Sequence, residues 1–378
     1  MLGSEFDGEK LREARRFNSK SITELADELG VSKQMVSKYE NGKAKPNYEA
    51  IFTLVKFLGF PREFYFTKRN YQLATNGTFF RSRLTSLQKE KEPMEYVKQY
   101  AAVVRDFLGE YIEFPVLDEN IRGTLNTANE YAEFIRTFWR LGDNPIQNVM
   151  RLLEEKGFVV SNIKRNTTKV DAFGSQVEIN SNKYYIIMTE GTKTSFYRQQ
   201  FSLAHELGHW LMHSEVDPQN LDKDEYKKME QEANEFASQF LLPASAFMKD
   251  IRTNPLDLEY YITLKKKWNV SIAMMIMRTK ALGLISGEDY TRLQRQISYR
   301  KWRTAEPLDE IKEIARPIAL RQAIELLVEN NYFKGHDIPL ELVHRYGEAL
   351  PIDLLEEITD VKTGYLKYED PQIVMLRK

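Results

Sequence analysis

Three of the five histidines in this 378-residue chain fall between positions 205 and 213. Two of them bracket a glutamate as His205-Glu206-Leu207-Gly208-His209, inside a longer apolar run from Phe201 to His213. On a helix, residues four apart share a face one turn on, so both imidazoles could reach a single ion. Glu206, next to the first of them, could take a proton from a water polarised by that ion. Leu203, Leu207 and Trp210/Leu211 would point inward and hold the face rigid. The alternative is a helix whose histidines are only partly buried, which fits poorly with so scarce a residue clustering this tightly.

A hydrolytic zinc site needs a third protein ligand and leaves the fourth position open. The next helical stretch is Glu225 to Pro243, where Met229, Ala233, Phe236, Ala237, Phe240 and Leu241 recur at helical spacing. Glu232 flanks that stripe and could point into a shared interior; Glu230 and Glu235 are rivals, and most glutamates on such a helix simply face solvent. His213 continues the stripe of His205 and His209 one turn further, too far for easy chelation, and is read as a second layer or as packing.

Ala204-His205-Glu206-Leu207-Gly208-His209, followed by Glu232-Ala233-Asn234-Glu235-Phe236-Ala237 and Leu241-Leu242-Pro243, resembles the ImmA/IrrE family of metallopeptidases. Arg198 and Val170-Asp171-Ala172-Phe173 also match its pattern, and the resemblance covers about residues 125–245. It implies that His205, His209 and Glu232 hold one Zn2+ per chain and that Glu206 is the catalytic base. It also implies limited, regulatory proteolysis of a protein substrate, typically a helix-turn-helix repressor. Trp210, where a small aliphatic residue is more usual, is a mild departure.

These residues need a scaffold. Phe158-Val159-Val160, Gln176 to Ile179 and Tyr184 to Met188 are β-like runs separated by polar turns, so a small sheet is expected ahead of the metal helix. An edge of that sheet could take a peptide in extended form. Tyr184, Tyr185 and Tyr197 are candidate oxyanion donors, although core or surface roles are the commoner fate of such tyrosines.

Residues 7–66 read as a separate all-α unit. Ser21 with Glu24 forms a capping box, Gly30 stops that helix, and Ser32 caps the next. This is the helix-turn-helix layout. Ser32 to Lys43 resembles the recognition segment of Xre/Cro-type repressors. The resemblance implies that Lys33, Gln34, Ser37 and Lys38 face the major groove of duplex DNA while Asn41 and Lys43 hold phosphates. Arg15 and Glu40 match that family's structural ion pair. The alternative is a unit that docks protein only.

The expected fold is therefore α+β and mainly helical: the helix-turn-helix domain (7–66), a linker with a long amphipathic helix (67–115), a zincin-like metallopeptidase domain (116–290) and a helical C-terminal region of unassigned role (291–378). In that last region Ile311–Val328 and Leu340–Leu355 read as amphipathic helices and Gln372–Leu376 as a β-like tail. Phe79-Phe80-Arg81-Ser82 resembles a segment common in chains that join these two domains. The helix expected over Leu84–Tyr111 would be a spacer or dimer helix, so a homodimer is one expected form. Gly3-Ser4-Glu5-Phe6 resembles a cloning scar and is set aside.

Composition narrows the classes further. Lys+Arg 54 against Asp+Glu 55 gives net charge −1, so any DNA contact must be a local basic patch. With no cysteine, a disulfide scaffold and a thiolate-ligated metal are excluded, which fits a cytoplasmic location. No apolar run reaches membrane-spanning length, and no membrane partner is expected. The reading that follows is a DNA-binding transcriptional regulator with zinc-dependent endopeptidase activity. Its rival is a transcription factor that uses the metal fold as a sensor or docking scaffold without turnover. A processive degradative protease is disfavoured because no ATPase motif is visible.

The recognition segment yields a first prediction. Lys33→Ala and Gln34→Ala should lower discrimination between DNA sequences, whereas Lys43→Ala should weaken all duplexes alike and flatten the salt dependence. Fluorescence anisotropy at several salt concentrations measures both; equal affinity for every duplex, unchanged by Gln34→Ala, would refute sequence reading.

Overall fold

The computed structural model describes residues 5–75, 88–123, 125–163, 172–190, 194–214, 216 and 220–368. Four expectations lie outside them: Phe79-Phe80-Arg81-Ser82, the start of the helix expected from Leu84, the Val170-Asp171 match, and a β-like tail at Gln372–Leu376.

The N-terminal unit is α1 (Gly8–Phe17), α2 (Ile22–Leu29), α3 (Lys33–Glu40) and α4 (Tyr48–Leu58), closed by a 3-10 turn at Arg62–Tyr65. The Ser21–Glu24 capping box is present, and Gly30 ends α2 in the left-handed region at φ +63°. Ser32 caps α3 through the Met35 amide. Leu11, Ala14, Leu25, Val36 and Leu54 are fully enclosed. Arg15 pairs with Glu40 across the unit, Nη2 to Oε2 at 3.0 Å.

The chain then adds β1 (Leu73–Thr75) and α5 (Gln88–Gly109), then α6 (Ala128–Phe138) and α7 (Val149–Glu155). Strands β2 (Val159–Ile163), β3 (Ala172–Ile179) and β4 (Asn182–Glu190) follow. The sheet order is β1-β3-β4-β2, with β2 parallel to β4 and the other pairs antiparallel. β1 comes from the stretch expected to be linker, and it pairs Leu73 with Ile179. Helices α8 (Phe196–His213), α9 (Lys223–Leu241), α10 (Ala244–Ile251), α11 (Leu258–Trp268), α12 (Ile272–Ala281) and α13 (Gly287–Tyr299) complete the central part. The C-terminal part is α14 (Ala319–Glu329), α15 (Asp337–Tyr346) and α16 (Ile352–Thr359). The chain is thus α+β and mainly helical. Among the described residues no helix is long and apolar enough to cross a membrane.

Alternation along the strands feeds two cores. Val159, Ile186 and Met188 face one way and pack with α5; Val160, Tyr185 and Ile187 face the other and pack with α8. The helix expected to be a spacer or dimer helix is therefore the central helix of the first core. Val97, Tyr100, Ala101, Ala102, Val103, Val104, Phe107 and Leu108 are all buried, on every side of α5. It contacts α1, strands β2 to β4, and α14 to α16. Even Lys98 is enclosed, donating to Ser175 Oγ at 2.6 Å. A fragment beginning at Val116 would leave one whole sheet face bare, so the two motif-bearing regions do not separate there.

Two other boundaries shift. The helix expected from Ile311 starts only at Ala319, because Pro317 restricts the residue before it and lacks an amide donor. The helix expected over Leu340–Leu355 breaks at Gly347, which adopts φ +64° as its backbone runs against the Lys68 carbonyl.

That close approach delivers Glu348, which is fully buried, to the helix-turn-helix unit. Glu348 pairs with Lys10 of α1, takes Arg69 Nε at 2.9 Å and accepts from the Tyr71 hydroxyl at 2.6 Å. Arg69 also clasps Glu13 at 2.6 and 2.7 Å. Tyr100 of α5 donates to the same Glu13. One enclosed network thus joins α1, the 69–71 connector, α5 and the C-terminal part.

Removing one member would strand the others. Glu348→Ala leaves Lys10 and Arg69 without their shared carboxylate and should cost about 3–5 kcal/mol. Urea unfolding of wild type and variant measures it; a loss below about 1 kcal/mol would mean the network is solvated rather than enclosed.

Candidate metal centre

Helix α8 enters at Ser195 and runs through the core, with Leu203, Ala204 and Leu207 completely enclosed. Trp210 sits edge-on to Phe158 and near Tyr185, so the departure from a small aliphatic residue fills the gap between α8 and the sheet. Arg198 anchors the start of α8 to the Arg303 carbonyl at 2.8 Å. Helix α9 begins at Asp222 with a capping box to Glu225.

The two helices come unusually close at Gly208. A Cβ built there would lie 2.9 Å from the Phe236 ring, so only glycine permits this approach. The approach brings three ligand atoms together. His205 Nε2 and His209 Nε2 lie 2.9 Å apart. Glu230 places Oε2 3.5 Å from His205 Nε2 and Oε1 3.4 Å from His209 Nε2. A tetrahedral ion with ligands at about 2.0–2.2 Å sets ligand atoms roughly 3.3–3.6 Å apart, so the two glutamate distances fit it and the histidine pair is slightly tight. Burial raises the Glu230 carboxyl, but hydrogen bonds from His205 and His209 outweigh that and hold it well below the usual range. Two imidazoles and a carboxylate are a donor set for zinc or a similar divalent ion.

The glutamate that meets the pair is Glu230, not Glu232. The expected ligand points to the other side of His213, accepting from its Nε2 at 3.0 Å. The physical reason is helical phase. Ala233 and Ala237, three and seven residues beyond Glu230, are fully enclosed and mark the side of α9 that meets α8, whereas Glu232 lies at that side's margin. Glu235 is exposed and bonded to Gln231. The small alanines were the signal that could have separated the rivals.

Asn234, one turn beyond Glu230, holds the other nitrogen of His205, with Oδ1 3.1 Å from Nδ1. His209 Nδ1 lies 3.2 Å from His213 Nδ1. Burial, and then the neighbouring His209, push His213 below its ordinary value despite Glu232. His205, Glu206 and His209 are each no more than 2% exposed. Of the three candidate tyrosines, Tyr184 bonds Asp106 on the α5 side of the sheet, and Tyr197 lies under the Lys265 ammonium. Tyr185 alone neighbours Glu206: burial first, then that carboxylate, push its hydroxyl well above the usual range.

In the N-terminal unit, Lys33, Gln34, Lys38, Asn41 and Lys43 are exposed and Ser37 is half-buried, so α3 presents a polar, basic outer face. Asn41 is already engaged, accepting from Arg12 at 2.7 Å and donating to the Ser37 carbonyl at 2.8 Å. Its side chain therefore braces the end of α3 as well as facing outward.

Residues 154–280 match the family described as the IrrE N-terminal-like domain, and residues 11–65 match the family described as Helix-turn-helix. The chain is thus a fusion of an Xre-type helix-turn-helix domain with an ImmA/IrrE-like peptidase-family domain. No curated protein matches the chain.

The ligand geometry predicts that His205→Ala, His209→Ala and Glu230→Ala each lose the bound ion, while Glu235→Ala keeps it. Metal content after desalting decides this; an ion retained at wild-type level by Glu230→Ala would remove that residue from the set.

Proposed function

We propose that the protein is a DNA-binding regulator that cleaves a partner protein at a single-ion metallopeptidase centre. The observation that carries this reading is the convergence of His205, His209 and Glu230, with Glu206 on the same helix between the two histidines. When bound, the ion supplies Lewis-acid polarisation of the scissile carbonyl and acidifies a water. Glu206 would act as the general base, holding the proton taken from the attacking water and delivering it to the leaving amine. Glu230 and the histidines hold the electrophilic side of the site, and Asn234 and His213 brace the rings. A structural metal site has no need of a base beside its ligand, which disfavours the non-proteolytic sensor or scaffold reading.

Selectivity has two sources. The histidines and Glu206 are enclosed, so they are not offered to any passing unfolded segment. The helix-turn-helix unit is held to the body by the Lys10–Glu348–Arg69–Glu13 network, not by a free tether. Recognition by α3 therefore sets where the peptidase stands, whether α3 reads DNA beside a repressor or pairs with a repressor of similar fold. Fixed placement raises effective concentration without any new contact at the site. The family resemblance makes a helix-turn-helix repressor the favoured substrate, and Zn2+, one per chain, the favoured ion.

Glu206→Gln should keep fold and metal yet lose proteolysis, because the amide preserves size but cannot accept the proton. The test incubates metal-loaded and chelated wild type and Glu206→Gln with repressors encoded nearby and identifies products by mass spectrometry. Cleavage at equal rates by the two proteins would end the general-base assignment.

A further inference from the structure

Glu232 is excluded from the ligand triangle, yet it ends an ordered chain of contacts that begins at His209. His209 Nδ1 lies 3.2 Å from His213 Nδ1, and His213 Nε2 lies 3.0 Å from Glu232 Oε2. We propose that His213 and Glu232 are positioning residues that fix the ring proton of His209, and so its orientation, for metal binding. The inference rests on the metal centre proposed above.

The argument is one of proton placement. A neutral imidazole has one nitrogen that donates and one that accepts. The lone pair of His209 must sit on Nε2, the nitrogen that faces His205 and Glu230. Its proton is then on Nδ1 and must be accepted. The atom facing it is His213 Nδ1, which accepts only if the His213 proton sits on Nε2. That proton points at Glu232, whose carboxylate can only accept. Each assignment forces the next, and the chain closes on a charge. Glu232 keeps one oxygen on this bond while its other oxygen faces Lys228 at 3.8 Å, with part of the side chain in solvent. A glutamate here thus supplies an acceptor without the full penalty of burying its charge.

The two ligands are braced differently. His205 leans on a neutral amide, Asn234 Oδ1 at 3.1 Å, carried by α9 itself. His209 leans on an imidazole backed by a carboxylate, spanning α8 and α9. The two residues that α9 sends toward α8 on either side of Gln231 thus have separate tasks: Glu230 binds and Glu232 orients. Outer partners of this kind typically govern affinity by 10- to 100-fold without changing stoichiometry.

The experiment uses the full chain and Zn2+ titrated against a competing chelator. His213→Phe and Glu232→Gln should still bind one ion per chain at saturation, with affinity lowered by about 10- to 100-fold. His213→Gln should bind more tightly than His213→Phe, because its amide can accept from His209 and donate to Glu232, whereas a loss of packing alone would not be rescued this way. In the loaded wild type, 15N NMR should show His213 protonated on Nε2 and His209 on Nδ1. If His213→Phe does not fold, Glu232→Gln and the NMR assignment carry the test. Wild-type affinity in both Glu232→Gln and His213→Phe, or a His213 proton on Nδ1, would overturn the proposal. Loss of the ion at saturation in Glu232→Gln would overturn it in favour of Glu232 as a ligand. A wild-type chain that binds no ion would instead overturn the metal centre on which it rests.

Discussion

The site depends on the distance between two helices. At Gly208 the α8 backbone meets the Phe236 ring with no room for a Cβ, and this contact lets α9 lie close enough for a glutamate to reach two histidines on its neighbour. Glu230 has a short reach, so an extra ångström between the helices would leave its carboxylate out of contact with Nε2 of both rings. Cores are densely packed and resist such displacement, so the geometry of the His205–His209–Glu230 cluster is inherited from apolar packing: Phe236, Ala233, Ala237 and Leu207 fix where the polar atoms go. The fourth position of the His-Glu-x-x-His motif, Gly208, thus has a packing role as demanding as the chemical roles beside it.

A second constraint works at larger scale. Helix α5 belongs to the sheet, to the helix-turn-helix unit and to the C-terminal helices at once. The charges around Glu348 are expensive to desolvate, and such networks are weak contributors to net stability. What they do well is penalise wrong arrangements, since a shifted α1 would leave Lys10 or Glu13 buried without a partner. The N-terminal unit is held in one orientation by geometry that only this set of charges satisfies.

Much of the plan was legible in the chain, and the misses share a cause. Capping residues Ser21 and Ser32 announce helices locally, and His205, Glu206 and His209 announce chemistry locally, because each signal lies within one turn of its own backbone. The helix-turn-helix and the peptidase-family segment were readable for that reason. The resemblance implied Glu232; both it and Glu230 flank the apolar stripe, and Ala233 and Ala237 mark the side that meets α8 more quietly than large apolar residues do. The same holds for α5. Its charged, amphipathic pattern suggested a spacer or dimer helix, but Lys98 and Asp106 find partners in Ser175 and in Tyr184 and Tyr346, all distant in sequence. The role of β1 as a sheet strand was likewise invisible in three residues whose partner lies a hundred positions on.

The contact between Lys10 and Glu348 spans 338 positions. At roughly 5–20 residues per second of synthesis, about 20–70 s separate the appearance of the two partners. For that interval the emerging helix-turn-helix has nothing from α14–α16 against which to set its orientation. Each new molecule therefore passes through a stage in which its nucleic-acid-facing unit has been synthesised and its anchorage has not. Helices α14–α16 are the ones that tie the helix-turn-helix to the rest of the body, so their arrival and the fixing of α3 relative to the His205–His209–Glu230 cluster are the same event in time.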